Sequence, residues 1–165
     1  MALSIPILKT ISPAVRHGLS STPLFSQLEG TSQTFKRGAP LMFNAAGYLV
    51  EASNPVQSNE VIVGFAASAG NNGTAGIYTA HYYPALPNLV FEGVLEDGTN
   101  FDHTLVQLNV GMGHSISKDT VSGAWYLDEN NTTDVTAVIV GVIEPVGTVK
   151  ARVLFIVPQS VTIYN

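Results

Sequence analysis

The chain has 165 residues, with seven basic against twelve acidic side chains for a net charge of −5, and no cysteine. A length of this order supports one domain with a full hydrophobic core. The missing cysteines exclude disulfides and thiolate metal sites. Lys36 and Arg37 are the only adjacent basic pair, so no basic stripe is available for a nucleic-acid backbone.

Charged residues are 12% of the chain, roughly half the usual share. Ser, Thr, Asn and Gly stand in their place, and a surface so poor in charge points to extensive contact with other protein. The opening MALSIPILKTISPAV lacks a basic region ahead of its apolar part and is interrupted by Pro6 and Pro13, which argues against a secretory signal. No apolar run reaches the length of a membrane helix, so no membrane partner is expected.

Residues 1–34 carry Pro6, Pro13 and Pro23 among apolar residues without helical or alternating periodicity. Proline removes a backbone donor and pushes the preceding residue to extended geometry. The segment therefore reads as an extended N-terminal arm, with a short turn of helix near Leu24 to Leu28. Disordered tails are poor in large apolar residues; this arm is rich in them, so Ile5, Ile7, Leu8, Ile11, Phe25 and Leu28 are the expected protein-contact residues.

Residues 35–165 read as a single all-β domain of short strands: Leu41 to Phe43, Tyr48 to Val50, Glu60 to Ala66, Gly76 to Tyr83, Leu89 to Leu95, His103 to Val110, Ser115 to Ser117, Ala124 to Leu127, Thr136 to Ile143, Val149 to Val157 and Val161 to Tyr164. Turn clusters such as NAAG, EDGTN and DENNTTD separate them. Closely spaced short strands of this kind indicate a barrel or sandwich.

Within this body EVIVGFAASAG is echoed by AVIVGVIEPVG. The spacing that carries Gly64 onto Gly141 also carries Tyr48 onto Trp125, Glu51 onto Asp128 and Gly70 onto Gly147. A duplicated hairpin unit, about 46–70 and 123–147, is the expected cause.

Candidates for chemistry are few. Ser115, His114 and Asp119 hold the residue types of a hydrolytic triad, but adjacent Ser and His on a strand point to opposite faces. No His pair has metal-ligand spacing. Asp97, Asn100 and Asp102 share a loop that an Asp-Gly turn already explains. Tyr78, Tyr82 and Tyr83 offer rings for a carbohydrate-stacking face, and a receptor- or carbohydrate-binding β module is the alternative to a purely structural role. The chain reads as a non-enzyme with no cofactor and no metal.

The runs FKRGAPLMFNAAGYLVEAS, VIVGFAAS, NLVFEGVL and SKDTVSGAWYLDENNTTDVTAVIVGVIEPVGTVKARVLFIV, covering Phe35 to Val157, resemble the head decoration (capsid cement) proteins of tailed bacteriophages. In that family a Gly-initiated strand, a Gly-aromatic hairpin, an Ile-Val-Gly strand and a closing strand recur. The resemblance implies a compact, β-tulip-like barrel or sandwich. It also implies a homotrimer, made in the bacterial host cytoplasm, that sits on the capsid exterior of the virion and clamps neighbouring subunits of the major capsid protein in the expanded shell.

Overall fold

The computed structural model describes residues 11–13, 23–87, 89–98, 104–105 and 109–163. It is all-β: β1 (Ser12–Pro13), β2 (Phe25–Leu28), β3 (Pro40–Phe43), β4 (Leu49–Glu51), β5 (Gly64–Ala66), β6 (Thr79–Pro84), β7 (Phe91–Glu96), β8 (Gly113–Lys118), β9 (Trp125–Asp128), β10 (Ala137–Val142) and β11 (Arg152–Ile156). A five-stranded sheet runs β2-β6-β5-β3-β4, and a six-stranded sheet runs β1-β7-β11-β10-β8-β9.

With β1 set aside, the two strand orders are the same, β2 to β6 repeating as β7 to β11. Neighbouring strands pair antiparallel in both. Each unit is closed by one parallel pairing between its first and third strands, Glu29 beside Leu49 in the first and Leu95 beside Leu127 in the second. Even the irregularities repeat. Gly38 N–H donates to Ala66 O and Val63 N–H to Leu41 O; their counterparts are Gly111 N–H to Ile139 O and Thr136 N–H to His114 O. Gly38 and Gly111 have φ of 85° and 89°, a left-handed conformation that glycine adopts without penalty.

The two units repeat one topology, but not in the register of the sequence echo. The ladders place Gly64 against Leu41 and Ala137 against His114, so Gly64 corresponds to Ala137 and not to Gly141. Likewise Leu49 and Leu127 hold the closing positions, so Tyr48 corresponds to Tyr126 and not to Trp125. The two echoed glycines do different work. A Cβ on Gly64 would lie 2.2 Å from the Tyr83 carbonyl oxygen, whereas one on Gly141 would meet only Leu154 at 3.5 Å, and Gly141 sits at a register shift between β10 and β11.

The two units share one core. Phe65 of β5 packs against Phe91 of β7 and Phe155 of β11, with ring centroids 4.6 and 5.8 Å away, and all three rings are fully buried. At the other side of the joint, Val56 N–H donates to Ile116 O, and the Asn54 amide both donates to and accepts from the Lys118 backbone. The Lys118 ammonium and the Trp125 indole N–H share Glu51 Oε1, at 2.8 and 3.0 Å.

Several local expectations change. Leu24 to Leu28 contains a strand and not a helical turn: Phe25 and Gln27 lie opposite Tyr82 and Ala80, and so short a segment cannot repay helix nucleation. The first expected arm thus contributes strands to both sheets. Glu60 to Val63 precedes β5 as single connections, Ile62 bridging Thr162. The last expected strand begins as a 3-10 helix, Gln159–Val161. Asn109 and Val110 form a turn, and Lys150, at φ 56°, delays β11.

Replacing Gly38 or Gly111 by Ala should cost about 1–2 kcal/mol each through the same left-handed φ, measured by chemical denaturation. Gly64→Ala should cost about 1–3 kcal/mol and Gly141→Ala less than about 0.5; equal losses at 64 and 141 would restore the register of the echo.

Candidate protein-contact surface

Pro23-Leu24-Phe25-Ser26-Gln27-Leu28 contains no charged residue. Its strand, β2, pairs with β6 on one side, and all four of its residues are exposed. Glu29 N–H donates to Tyr78 O, so the amides of Phe25 and Gln27, on the same edge by alternation, also face β6. Those of Ser26 and Leu28 face the opposite edge. There Leu49 takes the end of the strand, receiving the Gly30 N–H, while Ser26 pairs on that side with no described residue.

Around this edge Leu24 (54% exposed), Phe25 (42%) and Leu28 (38%) are joined by Ile77 (64%) and Tyr78 (45%). The nearest acid, Glu29, is buried, and its carboxylate accepts from the Asn71 amide and side chain. The edge carries no Lys, Arg, Asp or Glu to desolvate on contact; its exposed apolar side chains alternate with the polar Ser26, Gln27, Thr79 and His81, and Phe25 and Leu28 project to its two faces.

Of the contact residues expected from sequence, Phe25 and Leu28 lie on this surface. Ile11 does not: it is 1% exposed in the chain's own core, because β1 pairs with β7 and carries it inward. Ile5, Ile7 and Leu8 lie outside the described residues. Ile77 was not anticipated as a contact residue; a paired Ile-Tyr directly after the turn-rich NNGTAG is the signal that could have found it.

The candidates for chemistry do not converge. Ser115 Oγ is buried and donates to Val56 O. His114 is buried in β8, which places adjacent side chains on opposite faces. Asp119 caps its own turn, accepting from Val121 and Ser122; burial pushes its carboxyl up, but those hydrogen bonds outweigh burial and hold it below the usual range. No group of three or more His, Asp or Glu residues suited to a metal is found among the described residues. His103, Asn100 and Asp102 lie outside them. The three tyrosines diverge: Tyr82 is buried edge-on to Phe25, Tyr83 packs on the core, and Tyr78 alone is exposed.

A polar belt lies where β8 meets β9. Ser117 donates to Asp128, and the neighbouring Tyr126 hydroxyl is pushed up to about 12, first by burial and then by the Asp128 charge. No family model, curated protein or solved structure matches the chain.

Because the folded pKa of Tyr126 lies above that of an unfolded tyrosine, near 10, its contribution is complete below about pH 10 and is lost as pH rises toward 12. Between about pH 9 and 11.5 the wild-type melting temperature should fall further than that of Tyr126→Phe; parallel losses would show that Tyr126 titrates as if exposed.

Proposed function

We propose that this protein is a structural virion component that decorates the outside of an icosahedral phage head and clamps neighbouring major capsid subunits. The observation that carries the reading is the uncharged edge of β2, with its exposed apolar side chains and its neighbours Ile77 and Tyr78. On a chain in which charge is already scarce, such a surface is matched to another protein and poorly matched to a polar small molecule. The family resemblance over Phe35 to Val157 agrees with this reading.

In physical terms, a protein that binds only the expanded lattice stabilises it by mass action, since the bound state is available to one form of the shell alone. Compact, closed units suit this task. They present a rigid surface whose contact energy is not spent on ordering the body itself. A homotrimer would multiply weak single contacts into one firm attachment. The divergence of Tyr78, Tyr82 and Tyr83 favours protein contact over the carbohydrate-binding alternative, which needs rings presented on one face.

Purified protein should co-sediment with undecorated, expanded heads at a fixed, saturable ratio to the major capsid protein and raise the melting temperature of the heads. The double variant Leu28→Asp, Ile77→Asp should weaken that binding by about tenfold or more, the scale of one lost interface anchor. Both side chains are exposed, so the stability of the free protein should change by no more than about 0.5 kcal/mol per site. Wild-type protein that does not sediment with intact heads would overturn the proposal.

A further inference from the structure

Among the described residues, three that are not glycine have a left-handed φ, and two of them face one another: Ser32 at 56° and Asn72 at 50°. The segments that carry them are tied by two backbone bonds, Asn72 N–H to Gln33 O and Ser32 N–H to Gly73 O, each 2.8 Å long. Left-handed backbone is costly for a residue with a Cβ and persists where surrounding contacts over-determine it. Here the two bonds supply that hold, together with the buried Glu29 carboxylate, which accepts from the Asn71 N–H and side-chain amide.

Asn72-Gly73 is also the one Asn-Gly pair in the chain. The carboxamides of Asn44, Asn54, Asn71, Asn130 and Asn131 are each hydrogen-bonded. The exposed carboxamide of Asn72 makes no hydrogen bond to a described residue, and neither does the Gly73 N–H. Asn59 is exposed too, but Glu60 follows it, and only glycine leaves the attacking nitrogen without a neighbouring Cβ. We propose that Asn72 is a site of spontaneous deamidation and backbone isomerisation. The Gly73 nitrogen, its proton lost to base in solvent, attacks Asn72 Cγ; the new C–N bond closes a succinimide ring, the Cγ–Nδ2 bond breaks, and Nδ2 leaves as ammonia. Water then opens the ring. Attack at Cγ leaves aspartate, and attack at the main-chain carbonyl of residue 72 leaves isoaspartate, whose backbone runs through Cβ and Cγ. Water enters as ammonia leaves, and nothing is oxidised or reduced.

The fold gives the second product a consequence. Isoaspartate inserts a methylene carbon between the nitrogen of residue 72 and the Gly73 carbonyl, the two groups tied to Gln33 and Ser32. The two bonds then no longer match in spacing, and the left-handed turn at Ser32 is released. The Tyr78 ring moves with it, since it packs so closely on Gly73 that a Cβ there would overlap it. Both products also place a carboxylate in the loop beside Tyr78. The loop is thus built for a slow, one-way conversion. Its chemistry does not depend on head binding, and either can fail without the other.

Purified full-length protein held at mildly alkaline pH should separate on anion exchange into forms more negative than the unmodified chain, whose net charge is −5, each heavier by the exchange of NH for O. Peptide mapping should place the change at Asn72, several-fold faster than at any other asparagine, with isoaspartate among the products. Asn72→Gly keeps the left-handed backbone without a carboxamide and should lose the reaction while folding as the wild type does. In the isolated isoaspartate form, deuterium exchange at the Ser32 amide should be several-fold faster than in the unmodified protein. The proposal is overturned if Asn72 stays intact in the folded protein while the urea-unfolded chain deamidates there, if Asn59 reacts first, if Asn72→Gly gains mass at the wild-type rate, or if Ser32 exchange is unchanged in the isoaspartate form.

Discussion

Closure of each five-stranded unit on itself is the constraint on which the rest of the molecule depends. Most strands here are three to six residues long, so each places only a few side chains on the inner face. The parallel contacts of Glu29 with Leu49 and of Leu95 with Leu127 turn each sheet into a ring. They also remove most of the edges that an open sheet would leave exposed. With both rings closed, side chains on the inner faces have one place to go. Phe65 of the first unit meets Phe91 and Phe155 of the second, and the two small units bury a common core that neither would fill alone.

One topology occurs twice, and different side chains at equivalent places make the units unequal. Gly64 permits the close approach of β6, which its counterpart Ala137 does not require. Leu41 is matched by His114, and both are fully buried. The largest difference is at the first strand of each unit. β7 is flanked by β1, with Glu92 held by Arg152 at 2.7 Å, while β2 presents an uncharged, exposed strand. Among the described residues, β1 covers this position in one unit and no strand covers it in the other. Such an asymmetry is invisible in either unit taken by itself.

The same comparison explains why chemistry is hard to locate in this chain. His114, Ser115 and Asp119 are consecutive or nearly so, yet strand alternation separates the first two and a turn consumes the third. Polar groups are used to hold turns and to join the units, as with Glu51, Lys118 and Trp125. Among the exposed residues, Leu24, Phe25, Leu28, Ile77 and Tyr78 gather around the β2 edge.

The all-β class and the positions of most strands were determined by the sequence, because alternating apolar residues and turn-forming Gly, Pro, Asn and Asp act locally. The register of the repeat was not. Short apolar runs such as VIVG match one another at several offsets, and only ladder hydrogen bonds to β3 and β8 select one. The same holds for the arm. Ile11, Phe25 and Leu28 look alike as apolar residues near prolines; tertiary structure alone placed Ile11 in the core and left the other two outside, because that choice depends on which strand edge is open to receive them.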